Sequence, residues 1–311
     1  MKKIFITGGA GYIGSVFVPE LLRHGYVVTV LDNFMYGQHS LLDVMHEKNF
    51  KLLRGDARDE TMIQQGMEGA EFIIPLACIV GAPACDRDPI AARTTNIDAI
   101  ELIVRLRKPE QKIIFPTTNS GYGIGQKGKF CDETTPLTPV SFYGRTKVEA
   151  EQKILASGES ITLRLATVFG ASPRMRTDLL VNDFVRRALE DRFVVLFEAD
   201  FARNYIHIRD VARAFLHCME HFDTMKGHAY NVGLSNANLT KRELCAVIQK
   251  HIPDFVFIES AVGQDPDKRD YLVSNAKIEA TGFMPQYALS DGIAELKKTF
   301  QVVKGGRMGN A

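Results

Sequence analysis

Apolar residues gather in short blocks along the chain: Lys3–Thr7, Val27–Leu31, Phe50–Arg54, Phe72–Leu76, Lys112–Pro116 and Ile161–Ala166. Within most blocks the apolar side chains are consecutive rather than alternating. That pattern suits strands of a parallel sheet covered on both faces. Between the blocks, helical patterns run over Tyr12–His24, Glu60–Met67, Ile90–Arg107 and Tyr143–Ser157. A βαβα alternation predicts an α/β fold, a doubly wound parallel sheet with right-handed crossovers. After Ala166 the pattern loosens. It predicts a helix over Asp178–Glu190, a short strand over Phe193–Phe197, and Tyr205–Ile208 leading into a helix over Asp210–His221. A strand follows over Ala229–Val232, then a helix over Lys241–His251 capped by Thr240, and a last helix over Asp291–Thr299. The terminal KGGRMGNA reads as a frayed tail. No linker is evident, so the second half is expected to interleave sheet elements with a smaller C-terminal lobe closing over a cleft.

Composition narrows this little but excludes much. The chain has 311 residues, 45% hydrophobic and 24% charged, with 38 Lys plus Arg against 37 Asp plus Glu, a net charge of +1. Near-neutrality gives no overall attraction to nucleic acid or anionic membrane. No apolar run reaches the roughly 18 residues of a membrane span; Phe72–Ala84 comes nearest and is broken by Pro75, Gly81 and Pro83. The start, MKKIFITGG, loses its apolar run at Gly8, short of a secretory leader. Cys78, Cys85, Cys131, Cys218 and Cys245 are odd in number and never at CxxC spacing. Buried, reduced thiols in a cytoplasmic protein are expected.

Two motifs carry chemistry. Gly8, Gly11 and Gly14 lie directly after the first strand and before the first helix, where backbone N–H groups and a helix N-terminus can take a pyrophosphate. The second strand ends in Asp32, 18 positions beyond Gly14, where a carboxylate can accept both ribose hydroxyls of NAD and repel the 2′-phosphate of NADP; the alternative for Asp32-Asn33 is a solvated turn. Asp56, after the third strand, is placed either to meet the adenine amino group or to make an Asx turn. The second motif is Tyr143-Gly144-Arg145-Thr146-Lys147, which sets a phenol and an ammonium one helical turn apart. A phenol near pKa 10 is a poor base at neutral pH. The ammonium and a positively charged nicotinamide ring would favour phenolate. Upstream, Thr117-Thr118-Asn119-Ser120 leaves the carboxyl end of the fifth strand, where such folds bind ligands. His217 and His221 stand at i, i+4, a metal-ligand spacing, but no third ligand is near, so no metal is expected.

GGAGYIGS, TTNSGYG, YGRTK and RNYIHIRDVARAF together resemble the extended short-chain dehydrogenase/reductase family, the nucleotide-sugar epimerases and dehydratases, from Lys3 to about Leu296. The resemblance implies a Rossmann NAD-binding domain over 1–166, completed by about 204–232. It implies a nucleotide-sugar lobe over 167–203 and 233–311, usually in a homodimer. Its catalytic set falls on Thr118, Tyr143 and Lys147. The cofactor set is Gly8, Gly11, Tyr12, Ile13, Gly14, Asp32, Asn33, Asp56, Ala57, Leu76, Ala77, Asn96 and Thr117, with Tyr143 and Lys147. The substrate set is Thr118, Asn119, Ser120, Thr167, Asn182, Arg203 and Arg269, with Arg174 and Arg176 as further cations that could meet a diphosphate or lie solvated on the surface. Cys78 replaces the family's second Ala after the fourth strand, and Pro75 replaces the usual His.

The departures narrow the chemistry. Dehydratases of the family carry Thr-Asp-Glu where this chain has Thr118, Asn119 and Ser120. Asn and Ser cannot do carboxylate acid–base work. Elimination, and the decarboxylation that also uses the Glu, are therefore disfavoured. What remains is oxidation at a sugar carbon, C4 by the resemblance. RLATVFGASPRMRTDLLVNDFV looks most like the heptose branch, with its GDP-heptose 4-dehydrogenases of bacterial capsule synthesis. A 4-epimerase shares every one of these motifs. A non-catalytic NAD-binding protein stands third, since such relatives usually lose the Tyr or Lys kept here.

Overall fold

The computed structural model describes residues 1–260 and 269–303. Its centre is a seven-stranded sheet. Strands β1 (Lys3–Thr7), β2 (Val27–Asp32), β3 (Phe50–Arg54), β4 (Phe72–Pro75) and β5 (Lys112–Thr118) come first in the chain. The short β6 (Phe130–Cys131) lies outside the sheet, and β7 (Ser160–Leu165) returns to it. Next come β8 (Thr167–Phe169), β9 (Phe193–Leu196) and β10 (Ala202–His207), again outside, and then β11 (His228–Val232) inside. The order across the sheet is β11-β7-β5-β4-β1-β2-β3, with every pairing parallel.

The consecutive apolar positions have their reason here. Ile4 and Ile6 pack into one core with Phe17, Val18, Val30, Phe72 and Phe215, while the intervening Phe5 packs into another with Leu31, Ile63, Ile73, Ile103 and Ile154. Both faces are dry, so both parities must be apolar. The first core is covered by α1 (Gly14–Arg23), the second by α2 (Glu60–Met67). The strand order reverses between β1 and β4, so a crevice opens at their carboxyl ends. Gly8 and Leu76 leave the sheet at that point.

The predicted helix over 90–107 is three pieces. After α3 (Ala82–Arg87) come α4 (Pro89–Arg93), a π-helical turn Thr94–Asp98, and α5 (Ala99–Leu106). π-Turns insert a residue into the helical ladder and often mark functional positions. This one holds Asn96, which is buried and tied to its neighbours. Helix α6 (Phe142–Ala156) begins where Ser141 accepts the Gly144 N–H at 3.1 Å.

The second half holds α7 (Leu180–Glu190), α8 (Ile208–Glu220), α9 (Phe222–Met225) and α10 (Lys241–His251). The Thr240 cap of α10 is a full capping box with Glu243. Three small sheets are present among the described residues; the pattern predicted β9 and part of β10 but not the strands they pair with. Strand β12 (Asn238–Thr240) joins β10 and β8; β13 (Val256–Glu259) pairs with β9; β14 (Leu272–Val273) pairs with β6. β6, β8, β12 and β14, two or three residues each, are too short to carry a period. After α11 (Ala276–Glu279), α12 (Leu289–Val302) closes the described chain against α7 and α10. The expected tail at 304–311 lies outside the described residues. Among the described residues, no helix is long and apolar enough to cross a membrane.

Candidate active site

A cavity of about 610 Å³ lies over the crevice. It begins at the glycine turn. Gly8 has φ +70°, and a Cβ there would come 2.5 Å from the Ala77 backbone nitrogen. A Cβ on Gly14 would come 2.3 Å from the Gly9 carbonyl oxygen. Only glycine lets β1, the β4 loop and α1 approach this closely. The result is a side-chain-free cradle ending at a ten-residue helix N-terminus.

Asp32 closes one end. Its carboxylate accepts the Ala10 N–H at 2.9 Å, the Phe34 N–H at 2.8 Å and the Gln38 amide at 3.3 Å. Burial raises its pKa, and these donors only partly offset that. Asp56 borders the cavity too, but both its oxygens take the Arg58 guanidinium, at 2.9 and 2.7 Å. That pairing holds its carboxyl below the usual range. This end fits an adenosine ribose, and the bare turn fits a pyrophosphate.

At the other end, α6 delivers Tyr143 and Lys147. Lys147 is 4% exposed, its Nζ 3.9 Å from the Phe115 ring centre. Tyr143 packs against the Ile79, Cys85 and Ala92 cluster and lines the cavity. Burial pushes the Tyr143 phenol up, with Cys78 adding to the rise, and Arg176 and Arg269 pull against it. These two arginines stand on loops distant in the chain, so the Tyr-x-x-x-Lys spacing does not reveal their pull. Burial lowers Lys147, while Cys78 and Glu151 favour its charge. Thr118 ends β5 and caps the next turn, its hydroxyl accepting the Ser120 N–H at 3.1 Å and lying 2.9 Å from the Ser120 hydroxyl. Arg269 donates to that Ser120 hydroxyl.

The cavity therefore gathers Gly8, Gly11, Tyr12, Ile13, Gly14, Asp32, Asn33, Asp56, Ala57, Leu76, Ala77 and Thr117 with Thr118, Ser120, Tyr143, Lys147, Thr167, Arg203 and Arg269. Three expected residues do not reach it. Asn96 uses its amide to grip Ile79, accepting the N–H at 2.8 Å and donating to the carbonyl at 3.0 Å, and it also meets the Thr146 hydroxyl at 3.2 Å. It orders the β4 loop against α6. Asn182 takes the Gly170 N–H at 3.1 Å and donates to the Arg176 carbonyl at 2.8 Å, so it fixes the loop after β8. Asn119 is 1% exposed, and its amide has no hydrogen-bond partner among the described residues. Arg174 and Arg176 are not solvated: both are buried and line the cavity, Arg176 gripping Asp178 at 2.5 Å. All five cysteines are free; four are buried, and Cys78 is half-buried in the cavity wall. The His217 and His221 rings lie 4.4 Å apart, tilted at 44°, and no metal-binding cluster is present among the described residues. Sequence reasoning missed Tyr36, Arg58 and Lys241, which also line the cavity and which only the folded loops bring there.

The family described as "NAD dependent epimerase/dehydratase family" matches residues 4–233. The chain is 27% identical over 308 residues to the low-salt glycan biosynthesis protein Agl12 of Haloferax volcanii, covering 93% of this chain and 96% of that protein. It is 26% identical to the UDP-glucose 4-epimerase of Corynebacterium glutamicum, covering 98% and 97%. Among solved structures, it is similar to a UDP-glucose 4-epimerase from Thermotoga maritima with UDP-glucose, at TM-score 0.85 and 25% identity, covering 96% and 98%. It shares the fold of a UDP-glucuronic acid 4-epimerase from Bacillus cereus, at TM-score 0.86 and 22% identity, covering 96% and 99%.

Proposed function

The chain belongs to the NAD-dependent epimerase/dehydratase family, and from that premise we propose that this enzyme oxidises the C4 alcohol of a nucleotide-diphosphate sugar. NAD, when bound, accepts the hydride. The residues fit it: the bare turn at Gly8 and Gly11 takes the pyrophosphate, Asp32 the adenosine ribose, and Lys147 the nicotinamide ribose. Tyr143 removes the proton from the C4 hydroxyl, which Thr118 orients. Arg203 and Arg269 meet the sugar diphosphate, and Ser120 and Thr167 face the sugar.

The observation that carries this reading is one continuous cavity with the cradle and Asp32 at one end and Thr118, Tyr143 and Lys147 at the other. The β5 loop lining supplies Thr118 and Ser120 but no carboxylate, so elimination lacks its acid and base. Net oxidation of a GDP-heptose, for surface polysaccharide, is the specific form we propose, in a cytoplasmic homodimer. We assign 1–166 with about 204–232 to the dinucleotide, and 167–203 with 233–311 to the sugar nucleotide. Epimerisation at C4 is the second reading, supported by the 26% identity to a UDP-glucose 4-epimerase along nearly the whole chain.

Incubation with GDP- and UDP-sugars, reading product mass and reduced-nicotinamide absorbance, tests it. A product two mass units lighter supports net oxidation, and an isomer of equal mass means epimerase. Full turnover by Tyr143→Phe would overturn the assignment of the base.

A further inference from the structure

Two loops that start on opposite sides of the crevice meet across it. The first follows β2. Its Asp32 carboxylate holds the Gln38 side chain, and Gln38 Oε1 accepts the Tyr36 N–H at 3.2 Å. Ser40 pins this loop to the glycine turn by donating to the Ala10 carbonyl at 2.6 Å. The turn that carries the ribose-binding carboxylate thus also positions the Tyr36 ring, 38% exposed at the cavity wall.

The second loop follows β8 and is docked on the start of α1. The Tyr12 hydroxyl donates to the Gly170 carbonyl at 2.7 Å, the Ser172 hydroxyl donates to the Tyr12 carbonyl at 2.8 Å, and the Arg174 N–H donates to the Ser15 hydroxyl at 3.3 Å. Arg174 therefore leaves its loop beside the N-terminus of α1. Its guanidinium carbon lies 4.4 Å from the centre of the Tyr36 ring, within the range of a cation–π contact. Both side chains line the same cavity as Gly8 and Gly11.

We propose that Arg174 and Tyr36 form a strap across the dinucleotide, with the Arg174 cation on the pyrophosphate and the Tyr36 ring holding that cation in place. The proposal rests on the NAD reading above. The pyrophosphate then lies between the α1 N-terminus and a buried guanidinium, two positive features facing a doubly charged group. The bridge has to open for the dinucleotide to leave. The strap therefore slows exchange of the dinucleotide.

The test uses the full chain loaded with radiolabelled NAD, chased with excess unlabelled NAD. Tyr36→Ala and Arg174→Ala are expected to release label at least about tenfold faster than wild type, equivalent to about 1.4 kcal/mol. Tyr36→Phe keeps the ring and is expected to release at the wild-type rate, a rescue that a hydroxyl-based role would not show. Tyr36 sits on an exposed turn, so Tyr36→Ala carries the test if Arg174→Ala fails to fold. Equal release rates for wild type and Tyr36→Ala overturn the strap while leaving NAD binding intact. A wild-type protein that takes up no labelled NAD and also releases no NAD on denaturation overturns the NAD reading, and the strap with it.

Discussion

Removing Glu151 should cost this protein a large part of its stability. Glu151 lies one helical turn beyond Lys147 on α6, and its carboxylate receives the Arg164 guanidinium from β7 through contacts of 2.6, 3.0 and 3.2 Å. The two side chains are only 3% and 7% exposed. Arg164 also donates to the Tyr122 hydroxyl at 3.0 Å, and Tyr122 reaches Asn231 at 2.8 Å. Burial pushes that phenol up to about 12, against the lowering effect of Arg164. In Glu151→Ala the guanidinium stays buried with only neutral acceptors, and breaking such a pair costs about 3–5 kcal/mol. At roughly 2–4 °C per kcal/mol, the melting temperature should fall by about 6–20 °C. Replacing both partners with Met removes the stranded charge and should recover most of the loss. Urea unfolding and thermal melts of both single variants and the double measure this coupling. A single-variant loss under about 1 kcal/mol, with additive effects in the double, would refute the reasoning.

Three further outcomes are expected. Tyr143 must lose its proton to act and burial holds that proton on, so turnover should rise with pH on the alkaline side of neutrality; Lys147→Met should shift the rise to higher pH, and an unshifted profile would remove Lys147 from the proton step. Asn96→Ala strips three hydrogen bonds from buried groups and should cost about 1–3 kcal/mol, with faster amide exchange at Ile79 read by hydrogen–deuterium exchange. Burial raises the Glu295 carboxyl, but the His207 and Ala171 hydrogen bonds outweigh it and leave its pKa lowered; its contribution is therefore complete above the ordinary Glu value of about 4.3 and lost as pH falls below it, so Glu295→Gln should flatten the acid limb of a stability–pH curve.

The sheet and its carboxyl-end crevice were legible because double burial forces apolar residues at consecutive positions, as at Phe72–Ile74. The cradle was legible because Gly8 and Gly14 sit where a Cβ collides with backbone. What could not be read was the direction of side chains from irregular loops. Asn96 has the right position in the chain to touch a cofactor, but the π-turn carries it inward to Ile79. Asn182 was expected to touch substrate and is a loop clamp. Arg174 and Arg176 could be read either as diphosphate ligands or as solvated, because nothing in SPRMR records that Tyr12 and Ser15 anchor the loop across the cavity. Two charges that bear on Tyr143 escaped for the same reason: Arg176 and Arg269 come from distant segments.

The central claim is direct hydride removal from a sugar carbon with Tyr143 taking the proton. Turnover of a nucleotide sugar carrying deuterium at C4, followed by mass analysis of the nicotinamide cofactor recovered from quenched protein, tests it. The account predicts reduced cofactor one mass unit heavier with wild type, and none with Tyr143→Phe. Turnover with deuterium still on C4 throughout, or lost to water without passing to the cofactor, would contradict it.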